Sequence, residues 1–232
     1  MKILVTGATR GIGKCIAETL NGEIFATGRN EDLLKKYYKN YIVSDFTKGE
    51  DIVALDEYIL KNDIDVIINN AGDYIYSEID KCTQEQISEI FKVNTEVPIY
   101  LISCAVKNMK KNNWGRIINI GSISGAIGEA NASLYSATKS AMFGLTKSLA
   151  LELAQYNITV NTINPGWVDT DLGNNSIEES EFSKEEIIEC IPQKRFVTPQ
   201  EIAKTVEYLL SEDARGITGQ MINICAGLSV GG

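Results

Sequence analysis

Histidine is absent from all 232 residues. Its absence excludes Ser–His–Asp and Cys–His catalysis, and any zinc site built on imidazole. No metal site is read from the sequence. Cysteine is sparse as well: Cys15, Cys82, Cys104, Cys190 and Cys225 stand far apart and form no C-x-x-C pair. An odd number so spaced reads as free thiols, most of them packed in the core, rather than as a disulfide framework. Positive charge is short too. Twenty-two Lys and Arg against 31 Asp and Glu leave a net charge of −9. That balance argues against nucleic acid and anionic membrane surfaces as partners. No apolar run approaches the roughly eighteen residues of a membrane span. The opening MKILVTGATRG has too short an apolar stretch for a signal peptide, so a cytoplasmic location is expected. GSISG at 121–125 misses the nucleophile elbow G-x-S-x-G, because position 123 is Ile.

What is present suits an ordinary globular core, with 44% hydrophobic and 23% charged residues. Short β-branched runs recur at KILVT (2–6), EIFAT (23–27), NYIVS (40–44), DVIIN (65–69), RIINI (116–120), ITVNTIN (158–164) and QMINIC (220–225). Strands apolar on both faces and ten or more residues apart imply βαβ crossovers and a parallel sheet covered by helices. No repeat or Pro/Ser-rich linker divides the chain, so one domain over 1–232 is expected. Two helices are especially legible. One starts at Thr83, with Gln86 completing a capping box, and runs to about Met109. The other runs from about Ser133 to Gln155, with Leu145, Leu149 and Leu153 forming an apolar stripe. The polar stretch 171–198 reads as an irregular functional flap over a substrate.

The first strand-to-helix turn reads TGATRGIG, with Gly7, Gly11 and Gly13 between strand and helix. A glycine-rich loop opening a helix offers backbone N–H groups and close approach to a pyrophosphate. Further along come NNAG (69–72), Asn94, Ser122, YSATK (135–139), NPGWVDT (164–170) and ITGQ (217–220). With these motifs, in this order over nearly the whole chain, the sequence resembles the short-chain dehydrogenase/reductase family. Its nearest pattern is that of the bacterial 3-oxoacyl-(acyl-carrier-protein) reductases. The resemblance implies an α/β fold: a Rossmann-type doubly wound parallel sheet of about seven strands in a single domain.

It also implies a nicotinamide cofactor held by Gly7, Thr9, Arg10, Gly11, Ile12, Gly13, Arg29, Asp45, Phe46, Asn69, Ala71, Gly72, Tyr135, Lys139, Pro165, Gly166, Val168 and Thr170. Asp45, with Phe46 beside it, is expected at the adenine edge. The last four are expected to flank the nicotinamide. Charge selects the cofactor. Gly28 stands where NAD-preferring members carry an acid, and Arg29 follows it. Two of only five arginines, Arg10 and Arg29, fall where a 2′-phosphate would lie, so NADP(H) is expected.

Tyr135 and Lys139 lie one helical turn apart. A ketone that takes hydride at carbon needs a proton at oxygen, and a phenol has the reach but a pKa near 10. An ammonium roughly 5 Å away, at an effective dielectric near 20, would favour the phenolate by about 3 kcal/mol, or roughly two pKa units. Tyr135 is therefore expected as acid/base and Lys139 as its tuner; the resemblance adds a ribose-anchoring role for Lys139. Ser122 is expected to donate to the substrate oxygen, with Ser124 as its local rival. Asn94 precedes Pro98, which has no N–H for the carbonyl of residue 94, so a kinked helix with a free carbonyl is expected. In the family the matching carbonyl holds a water that links the active-site lysine to solvent.

The expected reaction is NADPH-dependent interconversion of a small ketone, 3-oxoacyl or other, and a secondary alcohol. One alternative is 3-oxoacyl-carrier-protein reduction in fatty acid synthesis proper; another is a non-catalytic NADP(H)-sensing protein on the same fold. An acyl carrier protein partner is disfavoured. The family's basic docking places hold Asn113 and Tyr156 here, with Lys110 and Lys111 nearby as substitutes. A homotetramer or homodimer paired through the two long helices is expected, with Leu101, Leu149 and Leu153 facing either a partner or the sheet.

Overall fold

The computed structural model describes residues 1–170, 173, 177 and 183–230. Seven strands are found among these residues: β1 (Lys2–Thr6), β2 (Glu23–Gly28), β3 (Asn40–Val43), β4 (Val66–Asn69), β5 (Gly115–Ile120), β6 (Ile158–Pro165) and β7 (Met221–Ile224). They form one parallel sheet in the order β3-β2-β1-β4-β5-β6-β7. The strand order reverses between β1 and β4, which are hydrogen-bonded neighbours with Leu4 opposite Ile67. The next connections therefore diverge there and leave a crevice at the carboxyl ends of the strands.

The sheet is covered on both faces, and its central strands send apolar residues to each. Ile3, Val5, Ile68 and Ile118 share one core with Ile16, Val206 and Leu209. The alternate residues Leu4, Ile67 and Ile117 share the other with Leu101, Leu153 and Val160. The period-2 alternation of β-strand side chains thus feeds two cores rather than one core and solvent. One layer contains α1 (Gly11–Thr19) and α9 (Pro199–Leu210), which pack together. The other contains α3 (Gly49–Asn62), α5 (Val97–Asn112) and α7 (Ser133–Leu153). Further helices among the described residues are α2 (Glu31–Tyr37), α4 (Gln84–Phe91), α6 (Ser124–Ile127) and α8 (Lys184–Cys190).

Several local readings are corrected by this structure. The helix expected over 83–109, with a kink at Asn94 ahead of Pro98, departs from α geometry at that place: a π-helical turn at Lys92–Glu96 joins α4 to α5, with Pro98 at the start of α5. A proline in the first turn of a helix has no donor to lose, so the chain widens before it rather than breaking. Of the leucines left open between sheet and partner, Leu101 and Leu153 are fully buried in the sheet-facing core, and the half-buried Leu149 packs against it. The stretch 171–198 is not irregular throughout. Ser183 and Glu186 form a capping box that starts α8. Val168 bridges to Val197, pinning the end of the stretch beside β6. Its residues 171–172, 174–176 and 178–182 lie outside the described residues. All five cysteines are free; Cys15, Cys104 and Cys225 are buried, and Cys190 is exposed.

Candidate active site

A cavity of about 980 Å³ opens over the carboxyl ends of the strands. One end is built by the turn between β1 and α1. Gly7 and Gly11 adopt positive φ, 65° and 52°, which lets the turn fold back tightly. A Cβ on Gly7 would lie 3.0 Å from the Cα of Ala71, and one on Gly13 would collide with the Asn70 side chain and the Gly7 carbonyl. Asn70 fastens this turn to β4. Its Nδ2 donates to the carbonyls of Thr6 (2.9 Å) and Gly7 (3.2 Å). In return the Thr6 hydroxyl oxygen accepts the N–H groups of Asn70 and Ala71, both at 2.9 Å. The first turn of α1 has no side-chain cap, so its N–H groups face the cavity as an anion-binding helix terminus.

Arg10 and Arg29 are exposed at the rim of this end. Asp45 follows β3 there, and its Oδ1 accepts from the N–H (3.0 Å) and hydroxyl (2.8 Å) of Thr47. The Thr47 N–H, with its hydroxyl and Arg29 as smaller contributors, holds the Asp45 carboxyl below the usual range.

At the other end α7 presents Tyr135 and Lys139 towards Ser122, which follows β5. Lys139 is 6% exposed, and its Nζ donates to the carbonyl of Ile120 at 2.9 Å. The same Nζ stands 5.5 Å from the Tyr135 ring centroid. Burial lowers the Lys139 pKa to about 8. Burial also pushes Tyr135 up to about 12; a hydrogen bond with Ser122 opposes the shift and the charge of Glu129 adds to it. The expectation that Lys139 brings the phenol below its ordinary value is therefore corrected. Desolvation of the phenolate outweighs an ammonium whose hydrogen bond is directed at Ile120. The Ser122 hydroxyl accepts from Ser124 N and donates to Ser124 Oγ, both at 3.1 Å.

Asn94 sits behind this wall, 2% exposed, within the π-helical turn. Its side chain accepts from Asp73 N and donates to Asp73 O, both at 2.8 Å, and donates to Thr138 Oγ1 at 3.1 Å. It thereby ties the segment after β4 to the helix turn that carries Lys139.

Most residues singled out in the sequence meet on this one cavity. Gly7, Thr9, Arg10, Gly11, Ile12, Arg29, Asp45, Phe46, Ala71, Gly72, Ser122, Tyr135, Lys139, Pro165, Gly166, Val168 and Thr170 all line it. Gly13, Asn69 and Asn94 do not. Asn69 is buried and its Nδ2 donates to Asn119 Oδ1 at 2.9 Å, so its side chain points into the sheet rather than the cavity. Sequence reasoning passed over Asn70, although NNAG contains it, and it missed Tyr74, Tyr76, Glu129 and Asn131 on the wall. These four lie in loops without a motif, and only tertiary contacts bring them there.

Residues 7–229 match the family model described as enoyl-(acyl carrier protein) reductase. The chain belongs to the short-chain dehydrogenase/reductase family. Within the family it is 37% identical over 237 residues to the 3-oxoacyl-(acyl-carrier-protein) reductase FabG of Buchnera aphidicola subsp. Baizongia pistaciae, with 97% of this chain and 96% of the relative covered. FabG of Aquifex aeolicus is 37% identical over 243 residues, with the same shares covered. Among solved structures, a variant actinorhodin polyketide ketoreductase with NADPH matches at TM-score 0.93 and 32% identity, covering 99% of this chain and 97% of that one. YwfH, an NADPH-dependent reductase involved in bacilysin biosynthesis, matches at TM-score 0.88 and 31% identity, covering 98% and 97%.

Proposed function

We propose that this family member is an NADPH-dependent oxidoreductase that interconverts a small ketone and a secondary alcohol. The observation that carries the reading is one cavity with a glycine turn and two arginines at one end and Ser122, Tyr135 and Lys139 at the other. The relatives named above as ketoreductases and 3-oxoacyl reductases support it.

The residues present fit a dinucleotide phosphate. The positive-φ glycines and the uncapped start of α1 suit the pyrophosphate. A side chain at Gly72 would enter the cavity beside Lys139, its Cβ 3.5 Å from the ammonium. Bound NADPH supplies the hydride. Tyr135 delivers the proton to the carbonyl oxygen, and with its pKa near 12 it rests in the acid form at neutral pH. Ser122 donates to the same oxygen as negative charge develops. Lys139, protonated below about 8, would stabilise the phenolate left behind through its positive charge. Asn94 holds the Lys139 turn in register through Thr138. A water on its main-chain carbonyl, which Pro98 cannot engage, would return the proton from solvent. The stretch 171–198 acts as the substrate flap.

A 3-oxoacyl group carried on a protein is the weaker reading. Lys110, the nearest substitute for the missing docking bases, lies 3.4 Å from Glu152 and 5.2 Å over the Tyr156 ring, so its charge is already answered. The decisive measurement is absorbance at 340 nm with NADPH and a panel of free ketones. Oxidation of NADPH dependent on a ketone supports the proposal, and its absence across the panel refutes it.

NADPH is expected to be preferred over NADH because of Arg10 and Arg29. An aspartate at Gly28 would set its Cβ 3.0 Å from the Thr9 methyl, so removing the guanidiniums is the cleaner test. Arg10→Ala with Arg29→Ala should weaken NADPH about tenfold or more, at about 1.4 kcal/mol per decade, and leave NADH unchanged. Equal binding of the two cofactors by the unaltered protein would sink the assignment.

Self-association is expected through the outer sides of α5 and α7, where Ile99, Tyr100 and Leu151 are exposed. Sedimentation should give a multiple of the 25.5 kDa chain mass, and a monomer at working concentration would refute it.

A further inference from the structure

The loop between α6 and α7 brings Glu129 back over the catalytic wall. Both of its carboxylate oxygens are held by hydroxyl groups. Ser124 Oγ donates to Oε2 at 2.6 Å, and the Tyr74 hydroxyl donates to Oε1 at 2.7 Å. Ser124 is in turn the acceptor of the Ser122 hydroxyl at 3.1 Å. The Tyr74 ring meets the Tyr135 ring edge-on, with centroids 5.0 Å apart. Glu129 is thus two hydrogen bonds from Ser122 and one ring from Tyr135, and it lines the same cavity.

Accepting from two hydroxyls is the behaviour of an ionised carboxylate. Burial first, and the bond to Glu129 second, hold the Tyr74 phenol above its usual range, so Tyr74 stays a donor. Each carboxylate oxygen keeps a further lone pair, and two fixed donors keep the group from turning away. Among the described residues, the other charged groups lining the cavity away from the arginines are Asp73, Glu186 and Lys139. Lys139 donates to Ile120 and does not neutralise Glu129. Arg10 and Arg29 belong to the turns after β1 and β2, at the far end of the cavity.

We propose that Glu129 determines substrate specificity: it accepts a proton donor, hydroxyl or ammonium, carried by the substrate beyond its reacting carbonyl, and rejects substrates with an anion in that place. The substrate is then a hydroxylated or aminated ketone rather than a carboxylate, a phosphate ester or a bare acyl chain. This rests on the ketone/alcohol reading above. A site built around a fixed acceptor binds the matching donor better than an analogue that lacks it, and a carboxylate repels an anion set against it.

The test uses rings that differ at one substituent: cyclohexanone, 4-aminocyclohexanone, 4-hydroxycyclohexanone and 4-oxocyclohexanecarboxylate. The unaltered protein should favour the amino and hydroxy ketones over the carboxylate by about tenfold or more in kcat/KM. Glu129→Gln keeps the shape and removes the charge, and should bring the ratio of amino to carboxylate substrate within about threefold. Wild-type preference for the carboxylate overturns the proposal, as does a ratio unmoved by Glu129→Gln. A residue that merely pinned its loop would change all four rates together and leave the ratio alone. Calorimetric binding of 4-aminocyclohexanol and 4-hydroxycyclohexanecarboxylate reads the same discrimination without turnover. If no ketone is reduced, the ketone reading fails on its own; equal affinity for the two alcohols separately overturns the role of Glu129.

Discussion

Tyr135→Phe is expected to reduce ketone reduction by about 10²–10⁴-fold, the range of a positioned acid. NADPH affinity should stay near that of the unaltered protein. Phenylalanine keeps the ring that packs edge-on against Tyr74 at 5.0 Å, so the wall holds its shape and only the proton donor is lost. Steady-state rates and a fluorescence titration of NADPH separate the two effects. Ser122→Ala provides the calibration. Loss of one donor to a developing oxyanion costs about 10²–10³, again with cofactor binding retained. Ordinary turnover by Tyr135→Phe would return the Tyr–Lys pair to the status of a helix face.

Lys139→Ala is expected to damage turnover and NADPH affinity together, if its ammonium has the two roles proposed for it, beside the phenolate and at the cofactor ribose. The pH profile carries the more specific prediction. Burial depresses Lys139 from 10.5 to about 8, so it is charged below that pH and neutral above it. Tyr135, pushed up to about 12, remains protonated throughout the working range. Reduction should therefore be level near neutrality and fall as pH rises through about 8. The sign follows from loss of the cation, not from loss of the acid. Lys139→Arg places a guanidinium that stays charged to far higher pH, at the cost of a larger planar head. Its residual activity should be lower and its decline displaced upward. An unshifted decline in Lys139→Arg would show that another group titrates there.

The two-sided covering of the sheet was legible because β1 and β4 carry consecutive apolar residues, Ile3 to Val5 and Val66 to Ile68, and strands buried on both faces have that composition. The intervals between successive strands leave room for crossover connections, which parallel pairing needs. The turn at Gly7–Gly13 was legible for a related reason. Strand, glycines and helix are contiguous in the chain, and local backbone chemistry suffices to place them. Tyr135 and Lys139 share a helix, so a spacing of four residues already put them on one side.

Other features depended on contacts between distant segments. Thr83 with Gln86 announced the start of a helix and Pro98 a disturbance at Asn94, but the bonds of the Asn94 side chain to Asp73 and Thr138 join segments distant in the chain. Leu101 and Leu153 were apolar on any reading, and whether they met the sheet or a partner was decided by packing. The titration of Tyr135 went against the sequence expectation for the same reason. Spacing reports how near Lys139 stands, whereas the desolvation that dominates comes from everything that closes around the phenol. Glu129 is the sharpest case. The loop at 128–132 carries no motif, and the meaning of its acid arises from Tyr74, fifty-five residues earlier in the chain, and Ser124 beside it. By itself the sequence determined the α/β architecture, the glycine turn and the Tyr–Lys pair, because each is a local pattern with a local physical cause. Only the tertiary structure decided the surroundings of the Tyr135 phenol and the company at the substrate end, because burial and hydrogen-bond partnership are properties of residues brought together from afar.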